Sequence, residues 1–287
     1  MILLDGKRVR DEIRAALQKK TGAFSTKPKL VIIQIGENEE SDTYIRQKKL
    51  FGESIGALVE HVKFPSDISE SDLSSAIEKY GNNKTVHGII VQMPIPAALN
   101  RSRIVDAIRP DKDVDGLGSA NVKALWENKH GLVPATTKGI MSLLSYYKIP
   151  VAGRRVVVVG RSSLVGRPTA QALLNANATV TIAHSKTTNL PEIARTADIL
   201  IVAAGKPHFI QRDHVREGQA VIDVGITTVT GEKLDDEVPE KTIAGDVHFD
   251  VVKDIVAAIS PVPGGVGPVT VASLFQNLVS AYEKQTS

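Results

Sequence analysis

The chain has 287 residues, a formal net charge of +3 and no cysteine. This length suits two domains or one large domain. The small charge gives no reason to expect a nucleic-acid partner, although a slight positive balance suits anionic small molecules. The missing cysteines exclude disulfides, zinc–thiolate sites and a cysteine nucleophile.

The sequence has no segment that is typical of export or membrane insertion. Residues 1–7 lack the long apolar core of a signal peptide, and no stretch of 18 apolar residues is present. We therefore expect no membrane segment and a location in the cytoplasm.

Helical and strand-like patterns alternate in the first third of the chain. The predicted helices span residues 7–20, 41–55, 69–80 and 101–108. Short β-branched runs predict strands over residues 29–35, 57–62 and 86–92. This alternation indicates a mostly parallel sheet covered by helices on both faces. Residues 110–134 break the pattern, and we predict an irregular segment that ends the first domain.

Regular patterns resume after this segment. Helices are predicted over residues 137–148 and 268–284. The predicted strands span residues 155–160, 179–183, 199–203, 220–224 and 242–244. Such strands, joined by helix-sized or loop-sized connections, are the pattern of a nucleotide-binding βαβ domain.

A turn with two glycines follows the first of these strands. Gly160 allows a tight turn and Gly166 allows close helix–sheet packing, but the middle glycine of G-x-G-x-x-G is absent. Pro168 suits the first turn of the next helix. Free N–H groups at that helix start would bind an anion, with Arg161 and Ser162 as further donors. A structural strand–turn–helix without a ligand is the alternative.

The end of the second strand of this domain indicates which dinucleotide binds. In NAD-selective domains this strand usually ends in an acid that binds the ribose 2′-OH. Here it ends in Ala183-His184-Ser185-Lys186, without an acid. Ser185, Lys186 and Arg161 could instead hold a 2′-phosphate, so we predict NADP as the cofactor.

The first domain carries a second set of polar residues. Tyr44 and Lys48 lie one turn apart on a predicted helix, with Ser41 one turn earlier. They could stack on a flat ring and move a proton, or they could form an ordinary solvated helix face. Gln92 ends a predicted parallel strand, where ligands collect. Asp115 lies in an acidic loop that could bind a ligand, hold a weak cation site or form a plain turn.

A proline- and glycine-rich run, PVPGGVGP, covers residues 261–268. Such a run fixes an unusual backbone path and allows a ligand to approach the backbone closely. A structural linker is the alternative.

Taken together, these motifs resemble those of the bifunctional methylenetetrahydrofolate dehydrogenase/methenyltetrahydrofolate cyclohydrolase (FolD) family. The resemblance covers nearly the whole chain, and the proline/glycine run and the Asp-Val-Asp-Gly loop are highly characteristic of that family. The matching segments are YIRQK at 44–48, VQMP at 91–94, KDVDG at 112–116, VGRS at 159–162, VGRP at 165–168, HSKT at 184–187 and residues 261–270.

The resemblance implies a two-domain α/β fold with a cleft between the domains. A folate-binding catalytic domain would span residues 1–133 and be joined by the C-terminal helix, 268–287. A Rossmann-type NADP-binding domain would span residues 134–267. The resemblance also implies a homodimer paired through the cofactor domain and a role in one-carbon metabolism and purine biosynthesis. It implies no metal ion.

The resemblance further implies two reactions on tetrahydrofolate derivatives. A hydride passes from 5,10-methylenetetrahydrofolate to NADP⁺, and water then opens the methenyl cation to 10-formyltetrahydrofolate. Lys48 would be the key catalytic residue, supported by Gln92, which can orient the amine without adding a charge. Burial or a nearby methenyl cation would lower the pKa of Lys48 and make it a base. Tyr44 would stack on the folate ring system.

The remaining implied roles are binding roles. Asp115 would bind the pterin end, Ser41 would lie near the same site, and the Pro263-Gly264-Gly265 segment would close the cleft. The residues that the resemblance assigns to the cofactor are Thr136, Gly160, Arg161, Ser162, Val165, Gly166, His184, Ser185 and Ile226.

Two segments depart from the family pattern. The family usually has Pro-Cys-Thr-Pro where this chain has Pro134-Ala135-Thr136-Thr137, and it tends to have Asn-x-Gly where this chain has Asn121-Val122-Lys123. Both departures put loop geometry in question more than chemistry.

Three other functions remain as alternatives. The first is a dehydrogenase with little or no cyclohydrolase activity, which nothing in the sequence separates from the bifunctional enzyme. The second is a different Rossmann oxidoreductase, for an amino acid or a shikimate-like substrate. The set Tyr44, Lys48, Gln92 and Asp115 argues against it. The third is a non-catalytic dinucleotide sensor, which would be expected to lose Lys48.

Overall fold

The computed structural model of the chain describes residues 1–230 and 241–286. Residues 231–240 and Ser287, which fall inside the predicted domain ranges, lie outside the described residues. The strands are β1 (Ile2–Leu3), β2 (Lys29–Ile35), β3 (Leu58–Phe64), β4 (Gly88–Val91), β5 (Arg155–Val159), β6 (Thr179–Ala183), β7 (Ile199–Val202), β8 (Ala220–Asp223), β9 (Thr227–Thr230), β10 (Lys241–Ala244) and β11 (Ala258–Ile259).

The helices include all those that the sequence predicts. They are α1 (Gly6–Thr21), α2 (Glu39–Ser54), α3 (Glu70–Asn82), α4 (Arg101–Asp106), α5 (Ser119–Trp126), α6 (Ala135–Tyr146), α7 (Gly166–Asn175), α8 (Leu190–Arg195), α9 (Phe249–Val252) and α10 (Val266–Thr286), with a 3₁₀ turn at Arg212–His214. The predicted start of α3 is confirmed, since the Ser69 side chain accepts the backbone N–H of Asp72 at 3.1 Å. Over the described residues, no helix combines the length and apolar character needed to cross a membrane.

The prediction for residues 110–134 is wrong in part, because α5 lies within the segment predicted to be irregular. Only Asn121 and Leu125 of this helix are buried, so its sequence shows no apolar stripe. The predicted strand at 242–244 exists as part of β10. It pairs antiparallel with β9 in a separate two-stranded sheet and not with the large parallel sheet.

The described chain divides into two compact units. The N-terminal unit comprises Arg10–Ala135 and the segment that begins at Val271, and the central unit comprises Met1–Val9 and Thr136–Thr270. The first nine residues group with the central unit and not with the predicted first domain. The reason is that β1 pairs in parallel with β11, with Ile2 opposite Ala258.

The N-terminal unit is built on a three-stranded parallel sheet in the order β3-β2-β4. Val31 and Ile33 of β2 are fully buried on one face, against Leu73 and Ile77 of α3. A second layer forms where the Phe51 ring of α2 lies 5.2 Å from that of Phe275 in α10. Helix α3 therefore packs on the central strand of this sheet, and α2 and α10 pack on each other.

The central unit is built on a six-stranded sheet in the order β1-β11-β8-β7-β5-β6, and its pairings are parallel. Its core contains fully buried side chains from neighbouring strands, such as Leu200 and Val221. The carboxyl ends of β5, β6, β7 and β8 lie side by side at one edge. This is the edge at which open α/β sheets bind ligands.

Candidate functional site

One helix presents three of the predicted site residues of the N-terminal unit. Helix α2 begins after Asn38, whose side-chain oxygen accepts the backbone N–H of Ser41 at 2.8 Å. Ser41, Tyr44 and Lys48 follow at intervals of three and four residues and so lie on one side of the helix. Ser41 is buried, whereas Tyr44 and Lys48 are half-buried. The cap fixes the first turn and with it the direction of all three side chains.

Lys48 and Gln92 are joined by a direct hydrogen bond. Lys48 Nζ donates to Gln92 Oε1 at 2.8 Å, and Gln92 Nε2 donates to the backbone oxygen of Met93 at 2.8 Å. The Ser41 hydroxyl donates to the same Met93 oxygen at 3.3 Å. Because its Nε2 is committed to Met93, Gln92 can turn only its oxygen towards the amine. The structure thus brings Ser41, Lys48 and Gln92 together around one backbone carbonyl.

The loop that carries Asp115 is folded around a buried carboxylate. Asp113 is 1% exposed and accepts the backbone N–H groups of Gly116 and Gly118 at 3.0 and 2.8 Å. Asn121 Nδ2 donates to the same carboxylate at 3.0 Å. Gly116 has φ +70°, and a Cβ there would lie 2.7 Å from the backbone of residues 132–134. Only glycine fits this turn, so the Asp-Val-Asp-Gly pattern has a local structural cause.

Burial shifts the pKa values of the two ionisable residues of this site, Lys48 and Asp115. Loss of water around the Lys48 amine lowers its pKa, and the negative charge of Asp115 opposes that change. Burial raises the pKa of Asp115, and the Lys48 charge opposes it while the Asp113 charge adds to it. Desolvation therefore favours the neutral amine on Lys48, which is the form that can accept a proton.

In the central unit, the predicted glycine turn packs without space for side chains. Gly160 has φ +127°, and a Cβ there would overlap the carbonyl oxygen of Ala203 at the end of β7. A Cβ on Gly166 would overlap the carbonyl oxygen of Gly160. Both glycines are thus required by close backbone contact, as the sequence predicts.

The prediction of free N–H groups at the start of α7 is wrong. Ser162 Oγ accepts the N–H groups of Val165 and Gly166 at 3.2 and 3.3 Å, and its carbonyl oxygen accepts that of Arg167 at 3.0 Å. Pro168 has no N–H group. Ser162 therefore caps the helix itself, and an anion here would depend on side chains such as Arg161, which is exposed.

The segment after β6 forms a compact turn without an acidic residue. The N–H of His184 donates to Thr187 Oγ1 at 2.8 Å, and the N–H of Lys186 donates to His184 Nδ1 at 3.2 Å. Ser185 and Lys186 are exposed. Gly160 N donates to Ala183 O at 2.9 Å, which places Arg161 beside this turn. The glycine turn, which side chains at Gly160 and Gly166 would fill, lies close to the cationic residues Arg161 and Lys186. This arrangement fits a dinucleotide that carries a 2′-phosphate.

The other predicted binding residues occupy separate places in the central unit. Thr136 is half-buried in the first turn of α6, and Ile226 is 44% exposed three residues after Asp223, the buried end of β8. Gly264 has φ +108°, and its carbonyl oxygen accepts the N–H of Gly6 at 2.9 Å. Pro263 is exposed beside it. The proline/glycine run is therefore held by the first residues of the chain.

Both departures from the family pattern have a local explanation. Thr137 is fully buried, and its hydroxyl lies 3.1 Å from that of Thr169 in α7. Where the family usually has a proline, Thr137 thus joins α6 to α7 by a hydrogen bond. Lys123 lies inside α5, where lysine favours the helix more than glycine does.

Sequence reasoning missed several residues that shape these sites. Asp113 lies three residues before the glycine of a turn, so turn chemistry could have pointed to it, whereas Asn121 lies in the first turn of α5, a helix that the sequence did not predict. No residue pattern could identify the carbonyl of Met93, because every residue has one. Among residues 1–230 and 241–286, no three His, Cys, Asp or Glu side chains are grouped so that they could hold a metal ion.

Two parts of the chain match the two domains of one known protein family. Residues 4–115 match the family described as tetrahydrofolate dehydrogenase/cyclohydrolase, catalytic domain, and residues 134–286 match that described as tetrahydrofolate dehydrogenase/cyclohydrolase, NAD(P)-binding domain. Bifunctional protein FolD of Enterococcus faecalis is 43% identical over 286 residues, which is 99% of each chain.

Two solved structures are similar over nearly the full length. The bifunctional enzyme FolD, methylenetetrahydrofolate dehydrogenase/cyclohydrolase, from Campylobacter jejuni has a TM-score of 0.93 and 37% identity, covering 99% of each chain. The Trypanosoma brucei N5,N10-methylenetetrahydrofolate dehydrogenase-cyclohydrolase, complexed with NADP cofactor and inhibitor, has a TM-score of 0.93 and 33% identity, covering 99% of this chain and 98% of its own.

Proposed function

Because this chain belongs to the tetrahydrofolate dehydrogenase/cyclohydrolase family, we propose that it carries out two successive reactions on a folate carbon. It oxidises 5,10-methylenetetrahydrofolate to the methenyl cation with NADP⁺, and it hydrolyses that cation to 10-formyltetrahydrofolate. The observation that carries this proposal is the 2.8 Å contact between Lys48 and Gln92, where burial lowers the pKa of the amine.

The hydrolysis needs a base, and Lys48 supplies it. Water attacks the methenyl carbon and loses one proton to the neutral amine as the C–O bond forms. The carbinolamine then loses its hydroxyl proton, its bond to N5 breaks, and N5 gains a proton. Overall, one cation and one water give 10-formyltetrahydrofolate and one proton, which Lys48 releases to solvent. Base assistance of this kind contributes about 10²–10⁴-fold.

The oxidation makes a positive charge beside the same amine. Bound NADP⁺ supplies a hydride acceptor for the methylene carbon. A charged Lys48 would repel the methenyl cation as it forms, whereas a neutral amine does not. Gln92 holds the amine through its oxygen and adds no charge, and Asp115 in its charged form attracts the cation. One arrangement of side chains thus suits both steps.

The binding roles follow from the positions of the predicted residues. We propose that Tyr44 stacks on the folate ring system, that Asp115 binds the pterin end, and that Ser41 fixes the Met93 carbonyl nearby. The segment Pro263-Gly264-Gly265 completes the substrate site. The proposed cofactor residues are Thr136, Gly160, Arg161, Ser162, Val165, Gly166, His184, Ser185 and Ile226.

Assembly and location are further parts of the proposal. We propose a homodimer paired through the central unit, in the cytoplasm, that supplies 10-formyltetrahydrofolate for purine biosynthesis. In support of the pairing, β6 is an end strand of its sheet, its Ile182 is 41% exposed, and Leu174 of α7 is 54% exposed. Light scattering after size-exclusion chromatography measures the mass, and a monomer at assay concentrations would refute the dimer.

One assay tests the proposed function. The purified chain is mixed with 5,10-methylenetetrahydrofolate and NADP⁺, and absorbance follows NADPH, the methenyl cation and then its decay. We expect all three phases, with the third also present when methenyltetrahydrofolate is added without NADP⁺. Oxidation without enzymatic decay of the cation would leave only a dehydrogenase. No oxidation with either NADP⁺ or NAD⁺ would refute the proposal.

A further inference from the structure

Two fully buried carboxylates lie at the ligand-binding edge of the six-stranded sheet. Asp223 ends β8 and is 3% exposed, and Asp246 follows β10 and is completely buried. Neither belongs to the residues that the family resemblance assigns to the cofactor. A charged group in the interior costs several kcal/mol unless hydrogen bonds compensate it. Their contacts therefore indicate what they are for.

Asp246 holds the loop after β7. Its Oδ2 accepts the N–H groups of Ala204 and Gly205 at 2.6 and 2.8 Å, and its Oδ1 accepts that of Lys206 at 2.7 Å. Three successive N–H groups thus point at one carboxylate. The residue before them, Ala203, is the one whose carbonyl contacts the Gly160 turn. The carboxylate therefore fixes a segment that touches the proposed phosphate-binding turn.

Asp223 holds the loop after β8 and the backbone of Asp246. Its Oδ1 accepts the N–H groups of Gly225 and Asp246 at 3.0 and 3.1 Å, and its Oδ2 accepts that of Val247 at 2.9 Å. The N–H of Asp223 itself donates to Ser260 Oγ at 2.8 Å. The two carboxylates are thus linked, because Asp223 positions the backbone of Asp246.

The surrounding glycines show how closely Asp223 and Asp246 are packed. A Cβ on Gly225 would overlap the Asp246 carboxylate, and a Cβ on Gly245 would overlap that of Asp223. Burial raises the pKa of Asp223 to about 7, and the Asp246 charge contributes to the increase. The chain thus keeps two carboxyl groups close together in its interior. Of the two segments that they hold, Ala204–Lys206 follows β7, the neighbour of β5, and Gly225 with the adjoining Ile226 follows β8, the next strand along.

We propose that Asp223 and Asp246 are positioning residues for NADP, because they set the backbone of the loops after β7 and β8 against which the dinucleotide lies. The proposal rests on the proposed function, since it presumes a dinucleotide at this edge. It adds the loop of Ala204–Lys206 to the cofactor site. Neither carboxylate touches the cofactor itself.

Asp246→Asn tests this proposal directly. The amide places an NH₂ group against backbone N–H donors, so the loop must shift. We expect the dissociation constant for NADP⁺, measured by titration of intrinsic fluorescence or by calorimetry, to rise at least about tenfold, the usual effect of losing one hydrogen bond to a charged group. Hydrolysis of methenyltetrahydrofolate should continue at the wild-type rate, because Lys48 and Gln92 are in the N-terminal unit and that step uses no dinucleotide.

A matched pair of glycine substitutions keeps the test valid if that variant does not fold. Gly205 and Gly153 have φ values of +65° and +73°, and each has open space where a Cβ would be placed. Gly205→Ala and Gly153→Ala therefore impose similar left-handed strain. Gly205 lies in the loop that Asp246 holds. Gly153 instead precedes β5, at the end of that strand away from the glycine turn. We expect weaker NADP⁺ binding in the first variant only.

The outcomes separate this proposal from the proposed function. A folded Asp246→Asn variant that binds NADP⁺ as tightly as the wild type would overturn the positioning role, as would equal NADP⁺ affinities in the two glycine variants. Failure of the wild type to bind NADP⁺ or to oxidise methylenetetrahydrofolate would instead refute the proposed function.

Discussion

Two opposing influences act on the amine of Lys48. Desolvation favours its neutral form, while the charge of Asp115 favours the ammonium form. Gln92 orients the amine and leaves this balance unchanged, because an amide carries no net charge. A base in this setting should be sensitive to any new charge at position 92 and should be irreplaceable by an apolar side chain.

Replacement of Lys48 by methionine removes the amine and keeps a side chain of similar length. We expect the hydrolysis of methenyltetrahydrofolate to slow by at least about 10²-fold, the lower end of what a general base contributes. Stopped-flow absorbance of the cation measures this rate, and circular dichroism checks the fold. Near-normal hydrolysis in a folded variant would remove Lys48 from its proposed role.

Replacement of Gln92 by glutamate tests the pKa of the same amine. A carboxylate at hydrogen-bond distance stabilises the ammonium form, so the pKa of Lys48 rises. Because only the neutral amine is a base, kcat/KM for hydrolysis should rise with pH, and in this variant the rise should occur at higher pH. The matched control is Asn82→Asp, which adds the same charge at an exposed residue that ends α3. Identical pH profiles in all three proteins would contradict the role of Gln92.

The sequence could indicate Lys48 and Gln92 because their positions follow simple rules. One turn of helix places Lys48 beside Tyr44, and the end of a parallel strand places Gln92 at the ligand edge. The role of Ser162 could not be predicted in this way. Its hydroxyl accepts two backbone N–H groups of the turn and helix start. Whether it does so or points towards a ligand depends on the path of the backbone in the turn.

At the scale of elements, α5 shows where periodicity gives no information. Most of its residues contact solvent, so the apolar spacing that predicts α1 and α3 is missing. The strands β1 and β11 have two residues each and are too short to produce a pattern. Long β-branched runs such as β2 and β5 were predictable because both faces of a parallel strand are buried.

The stability of α5 offers a test of the departure at Lys123. Lys123→Gly introduces the residue typical of the family and should lower the unfolding free energy by about 1 kcal/mol, the usual cost of glycine inside a helix. Lys123→Ala removes the same charge and its 3.9 Å contact with Glu127, and should change stability by less than about 0.5 kcal/mol. Urea unfolding measures both. Equal stabilities for the two variants would show that residue 123 has no helical preference to satisfy.

At the scale of the whole molecule, the proposed base and the proposed dinucleotide-binding turn belong to different units. Lys48 and Gln92, which we propose for proton transfer, lie in the N-terminal unit, and the glycine turn lies in the central unit. Each unit has its own buried core. Ligands should therefore be able to stabilise one unit more than the other.

NADP⁺ should raise the unfolding temperature of the central unit. A ligand at 100 times its dissociation constant adds about 2.7 kcal/mol to the stability of the state that binds it. Because β6 is followed by Ser185 and Lys186 and not by an acid, NAD⁺ at the same concentration should produce a smaller increase. Differential scanning calorimetry with each dinucleotide measures this. A larger increase with NAD⁺ would contradict the predicted preference.

The pairing of β1 with β11 has a consequence for the order in which the chain is synthesised. Residues 2–3 are made more than 250 positions before their partners, Ala258 and Ile259. The N-terminal unit likewise waits for α10, whose Phe275 packs beside Phe51. The sheet of the central unit lacks β11 until residue 259 has been made, and the core of the N-terminal unit lacks the Phe275 ring until residue 275 has been made. A nascent chain must therefore keep one incomplete sheet and one incomplete core from aggregating until those residues have been made, and no single cut releases either unit whole.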